Sequence, residues 1–121
     1  MKKLIIVTTE KVGFHRFEKA PDNVKFLRNI HRHKFFIKVG IEVFHNDREL
    51  EFFTVLEKLN YYLTENKNPP MYIDSCEQLA TDIYEWIQEQ YKVKGKGKGK
   101  IKKRKVFVEV WEDKENGARV E

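Results

Sequence analysis

The feature that most constrains this chain is the alternation from His33 to Val43. His33, Phe35, Ile37, Val39, Ile41 and Val43 share one parity, and Lys34, Phe36, Lys38, Gly40 and Glu42 share the other. Successive side chains of a strand point to opposite faces, so the pattern predicts one long strand with a buried row and a wetter row. A row that apolar must be covered by something else in the chain.

Two segments offer the cover. Phe52, Leu56, Leu59 and Leu63 recur at spacings of three and four, the stripe of an amphipathic helix ending before NKNPP. A second helix begins at DSCEQLATDIYEWIQEQY, where Ser75 and Gln78 form a capping-box pattern; Leu79, Ile83, Trp86, Ile87 and Gln90/Tyr91 make its buried face. Further strands are predicted at KLIIVTT, continued by KVGFHRF after a bend or bulge at Gly13, and at VFVEVWE, residues 106–112. The turn residues Pro21, Asp22 and Asn23 mark a wide loop between the first two strands. Asn116-Gly117 suits a type I′ turn leading into a short last strand, ARVE. The order strand, strand, helix, helix, strand, strand predicts an α+β domain with both helices on one face of a sheet. At 121 residues the chain reads as a single domain over 1–121.

The formal charge of +5 suggests a polyanion partner until it is located. Residues 92–105, KVKGKGKGKIKKRK, hold eight lysines and Arg104; without those 9 of the 24 bases, 15 face 19 acids, a net of −4. The body is mildly acidic and carries one basic segment. That segment reads as a flexible, solvated connection, with phosphate attraction as its functional alternative. No aromatic residue interleaves with the lysines, so base stacking and specific nucleic-acid recognition are not indicated. No run of about 18 apolar residues is present, and the start lacks the pattern of a signal peptide, so the expectation is a cytoplasmic protein with no membrane partner. Cys76 is the single cysteine and cannot form an internal disulfide.

Candidate chemistry centres on histidine. In an extended chain His31 and His33 point to the same side, and His15 in the first strand region can approach them if the two strands pair antiparallel. Three neutral imidazoles with a fourth position open are the ligand set of a catalytic zinc site, and imidazole suits other transition metals too. An H-x-H pair alone fits an ordinary surface or hydrogen-bonded histidine equally well. His45, in FHNDRE, reads as a solvated turn residue. Cys76 at a helix start could be an activated thiol or a small buried hydrophobe. Glu77 could be a helix-dipole acid, and Glu112 a solvated acid at a strand end.

FHRF, then LRNIHRH leading into the alternating strand, then SCEQLA opening a helix, then VFVEVWED resemble the 6-pyruvoyltetrahydropterin synthase and 6-carboxytetrahydropterin synthase (queuosine pathway) family over nearly the whole chain. The pattern HRH…DRELEFF…SCE…ENGA also looks like small bacteriophage-borne members. The resemblance implies the T-fold: a four-stranded antiparallel sheet in the order ββααββ, assembled as a homo-oligomer, trimer or hexamer, with sites between subunits. It implies zinc on His15, His31 and His33. It implies a pterin or purine-like, deazaguanine-type ligand anchored by Glu77 beside Ser75, with Glu112 as a second acid. A carboxylate can accept two parallel N–H bonds from such a ring. The chain departs from the family where its catalytic thiol would stand, at Leu27, and LEKLNYYLTENKNPP lacks the family's Asp-His dyad. Cys76 is the candidate replacement for the thiol. The expected activity is that of a divergent zinc-dependent carbon–oxygen lyase, the alternative a binding protein that sequesters or senses a purine or nucleotide ligand.

Overall fold

The computed structural model describes residues 1–67 and 71–121. Two long strands dominate it: β1 (Lys3–His15) and β2 (His31–Val43) run antiparallel and stay in register from Lys3 opposite Val43 to His15 opposite His31. The bulge expected at Gly13 is absent, because Gly13 pairs directly with His33 and the ladder needs no extra residue. After β2 come helix α1 (Phe52–Lys67), a two-residue strand β3 (Met71–Tyr72) and helix α2 (Cys76–Gln90). A small hairpin of β4 (Val93–Lys94) and β5 (Ile101–Lys102) precedes β6 (Val106–Glu112) and β7 (Asn116–Val120). The main sheet has the order β3-β1-β2-β6-β7; β1, β2, β6 and β7 are its four antiparallel strands, and β3 adds a short parallel contact at the edge of β1. Among the described residues no helix is long and apolar enough to cross a membrane.

The buried row of β2 is the predicted one. Phe35, Ile37, Val39 and Ile41 pack with Val108 and Val110 of β6 under both helices. The helix stripes are shifted slightly from expectation. Val55, Leu59 and Leu63 form the buried line of α1, whereas Phe52 is 57% exposed and Leu56 half-buried. The stripe turns because the helix starts at Phe52, where Glu51 accepts from the free amides of Phe53 and Thr54 and holds the first turn out in solvent. The helix also runs past its expected end, through Lys67; residues 68–70 of the NKNPP segment lie outside the described residues. In α2, Leu79, Ala80, Ile83 and Ile87 are buried, and Trp86 lies half-buried, stacked on Tyr62. Half of the capping box forms: Ser75 Oγ accepts from the Gln78 amide at 3.0 Å, while the Gln78 side chain turns instead to Asp82.

The last turn also differs from expectation. Asp113 and Lys114, not Asn116-Gly117, are the central residues, with φ of 51° and 62° and a Glu115 N–H to Glu112 C=O bond of 2.9 Å. Both positive φ values are those of a type I′ turn. Gly117 serves a different need inside β7: a Cβ there would stand 2.5 Å from the Val110 carbonyl and 2.7 Å from the Trp111 ring.

Arg104, counted in the sequence among the solvated charges, is 8% exposed. Its Nε donates to the Tyr91 carbonyl at 2.7 Å and its Nη1 to the Glu42 carbonyl at 2.8 Å; the same Nη1 lies 2.5 Å from Glu49 Oε2. The connection between α2 and β6 is therefore stapled to the end of β2. Glu42 is held below the usual carboxylate range, first by the Lys105 amide. Burial alone would raise Glu49, but the Phe44 amide and Arg104 overcome it and lower it. Arg104→Met should cost about 3 kcal/mol, since it strands a part-buried carboxylate. Carboxylates depressed in the fold contribute stability that is present above their unfolded value, roughly 4.3, and lost as the pH falls through their folded values. Urea melts should therefore show the gap between Arg104→Met and the parent at pH 7, narrowing at acid pH; a gap independent of pH would remove Glu49 from the account.

Candidate metal centre

The register of β1 and β2 builds the site. His15 is the last residue of β1 and His31 the first of β2, and they are cross-strand partners; His33 follows two residues on, with the parity of the core residue Phe35. The ring centroids of His15 lie 4.4 Å from His31 and 5.1 Å from His33, and those of His31 and His33 are 4.9 Å apart. One ligand nitrogen from each ring lies within 4.8 Å of the others, so the three histidines are close enough to bind one metal ion.

The hydrogen bonds of two of them, His31 and His33, also select a ligating tautomer. His31 Nδ1 lies 2.8 Å from the Asn29 carbonyl, which can only accept, so Nδ1 carries the proton and Nε2 of the neutral ring keeps its lone pair. That Nε2 is buried with no hydrogen-bond partner among the described residues, the orphan atom a metal would satisfy. His33 Nδ1 lies 2.5 Å from Asp113 Oδ2, which likewise leaves its Nε2 free of a proton when neutral. His15 Nε2 lies 3.2 Å from Glu112 Oε1. Burial pushes the His15 pKa down, and the neighbouring imidazoles of His31 and His33 add to this against the pull of Glu112. Neutral imidazole is the form that ligates.

A cavity of about 420 Å³ opens beside the histidines, and it gathers most of the candidate residues: His15, His31, Ser75, Cys76, Glu77 and Glu112 all line it. Glu112 arrives because it continues the buried parity of Val106, Val108 and Val110 to the point where the core gives way to the cavity. Ser75, Cys76 and Glu77 arrive on the first turn of α2. Leu27 forms part of the wall, held by a Phe17 N–H to Leu27 C=O bond of 2.7 Å across the β1–β2 loop. His45 stays apart in its turn, where its Nδ1 accepts from the Asp47 amide.

The catalytic role expected of Cys76 meets an opposing environment. Burial, then Glu112, pushes its thiol up to about 12, outweighing any help from the helix start. The protonated thiol instead points at Glu112 Oε1, 3.8 Å away. Sequence reasoning also missed Asp113. Besides His33 it accepts from the Lys34 amide at 3.0 Å, and these contacts, His33 first, hold its carboxyl below the ordinary range. Its signal in the sequence was faint, an acid next to Glu112. Arg16, Asp74 and Asn116 complete the cavity rim.

Compared with known proteins, the chain matches no family model and no curated sequence.

Two outcomes follow from this geometry. Asp113→Asn should weaken Co²⁺ binding about 10- to 100-fold, read from the visible absorption of the bound ion; unchanged affinity would make Asp113 a turn residue only. For Cys76, thiolate absorbance on alkaline titration should rise only above roughly pH 10, with slow alkylation at neutral pH. Rapid alkylation at pH 7 would contradict the burial described.

Proposed function

We propose that this chain is a zinc-binding protein of the 6-pyruvoyltetrahydropterin and 6-carboxytetrahydropterin synthase type, with the T-fold, that takes a pterin or purine-like ring into the cavity beside its three histidines. The observation that carries this reading is the unpartnered, buried Nε2 of His31, held in the ligating tautomer among two further imidazoles. A three-histidine set with one side open to a cavity suits zinc, and bonds of about 2.0–2.1 Å require the rings to draw in slightly. Bound zinc would supply Lewis acidity toward an oxygen of the ligand's side chain.

The chain's own residues do the remaining work. Glu77 stands exposed at the N-terminal turn of α2, where its carboxylate can take the two N–H groups of a 2-amino-4-oxo ring. Ser75 caps the helix and so fixes the backbone on which Glu77 sits. Glu112, whose Oε1 lies beside His15 and Cys76, would accept or return a proton at the ligand's side chain. Leu27 supplies an apolar wall where the resembled family has its thiol. Assembly as a trimer or hexamer is part of the proposal. It is supported by the two sheet edges that are open among the described residues: β7, and β1 outside its short contact with β3, where Ile6 and Val12 are 52% and 39% exposed.

A second reading, a binding protein without turnover, is favoured by Leu27 and by the protonated Cys76. Calorimetry on zinc-loaded protein against pterins, guanine derivatives, 7-deazaguanines and nucleotides should find one ring class bound, with affinity lowered about tenfold or more in Glu77→Gln. If none of these rings binds, both readings fail. If one binds, incubation with dihydroneopterin triphosphate separates them: carbon–oxygen bond cleavage marks the lyase, and binding without product marks the sequestering protein.

A further inference from the structure

The segment 92–105 is not accounted for by the metal centre. It leaves the body at the Val106 end of β6, whereas the cavity lies at the Glu112 end of the same strand. It is also more ordered than its Lys/Gly composition implies. Val93 pairs with Lys102 and Lys94 with Ile101, and the Gly95 amide donates to the Lys100 carbonyl at 2.8 Å. Gly97 and Gly99 take φ of 99° and 76°, values that only glycine adopts without strain, and turn the tip. Arg104 staples the base of the hairpin to β2 and Tyr91. The result is a two-stranded ribbon held at a defined place on the body.

Its charge is not compensated. Lys92 pairs with Glu89 at the foot, but Lys94, Lys96, Lys98 and Lys103 have no carboxylate within ion-pair distance among the described residues. Lysines 94 to 103 are all exposed, on a body whose remaining charge is −4.

We propose that the β4–β5 hairpin is a sequence-independent binding arm for the phosphate backbone of double-stranded nucleic acid. A two-stranded ribbon fits the major groove, which is about 12 Å wide. Between Val93 and Lys103 the side chains are those of lysine, valine and isoleucine only, with no Arg, Asn or Gln for bidentate base contacts and no aromatic ring for stacking on unpaired bases. Ammonium groups without base-reading neighbours make phosphate contacts, which position a protein without specifying sequence. An anionic membrane is a weaker fit: Ile101, 58% exposed, is the one large apolar side chain the ribbon presents, and surface-bound segments bury a whole apolar face.

The test is fluorescence anisotropy with a labelled random duplex of about 20 base pairs, titrated between about 50 and 200 mM KCl. The arm predicts that log K falls with log[salt] at a slope steeper than about −3. Combining Lys94→Ser, Lys96→Ser, Lys98→Ser and Lys100→Ser should weaken binding at least tenfold and flatten the slope by about 3 to 4, with an unchanged circular dichroism spectrum, since all four side chains are exposed. His31→Ala should bind the duplex as the parent does, which keeps this result separate from any failure of the metal centre. A slope shallower than about −1, or a lysine variant that binds like the parent, overturns the proposal. Three further results would also overturn it: tighter binding to the single strand than to the duplex, stronger retention on phosphatidylserine vesicles than on duplex, or self-association through the hairpin that accounts for the anisotropy change.

Discussion

Everything distinctive about this molecule depends on the unbroken pairing of β1 with β2. Side chains of a strand alternate with a period of two, so sliding one strand by a single residue would move the whole row from Phe35 to Val43 to the outer face. The same slip would turn His31 and His33 away from α2 and separate His15 from its partner. Core and histidine cluster are thus specified by one register. The burial of Phe35, Ile37, Val39 and Ile41, all at 1% exposure or less, pins that register at the middle of the strand. The histidines at its end inherit their geometry from it, His15 buried and His31 and His33 half-buried.

A second layer of contacts converts closeness into readiness. The Asn29 carbonyl and the Asp113 carboxylate each accept a hydrogen bond from the Nδ1–H of a histidine, which in the neutral rings leaves two Nε2 lone pairs free and fixes the ring planes. Asp113 does this from a left-handed backbone conformation that a non-glycine residue adopts at some cost. Both of its oxygens are in use, on His33 and on the Lys34 amide, and its own amide donates to the Lys34 carbonyl at 2.8 Å. The β6–β7 turn is therefore tied to β2 beside the histidines, and the strain sits where the contacts over-determine it.

These two layers were unequally legible in the sequence. The β2 alternation, the cap at Ser75 and the His31/His33 pair could be read because each follows from a fixed local period or from a spacing within one element, whereas the approach of His15 depended on the antiparallel pairing of β1 with β2. The position of the last turn could not. Asn116-Gly117 has the better intrinsic propensity, but the tertiary contacts of Asp113 decide in favour of Asp113-Lys114, and Gly117 is needed for the close approach of Val110 and Trp111. Arg104 was hidden by its neighbours: in a run of lysines nothing local marks the one cation that finds two carbonyls and a carboxylate. Asp113 was hidden for a related reason, since a turn residue that bonds His33 from far along the sequence leaves no spacing to read. Phe52 erred in the opposite direction, because its place in the stripe was right but the helix begins there, before the sheet covers it.

The distribution of charge completes the picture. Along β6, Glu112 faces the histidines and Val106 adjoins the basic hairpin, a separation of about six residues at roughly 3.3 Å each, or near 20 Å. That exceeds the Debye length of about 8 Å at physiological ionic strength, so the exposed lysines of the hairpin barely reach the cavity through solvent. The shifts of His15 and Cys76 have local causes instead, burial and Glu112 first among them. The same carboxylate that faces His15 also accepts from Cys76, and its negative charge opposes ionisation of that thiol. Placing an acid there favours a cationic occupant among the imidazoles and disfavours a thiolate beside them. Three imidazoles close enough to bind a metal ion therefore stand beside a carboxylate, and beside a thiol that this carboxylate helps to keep protonated.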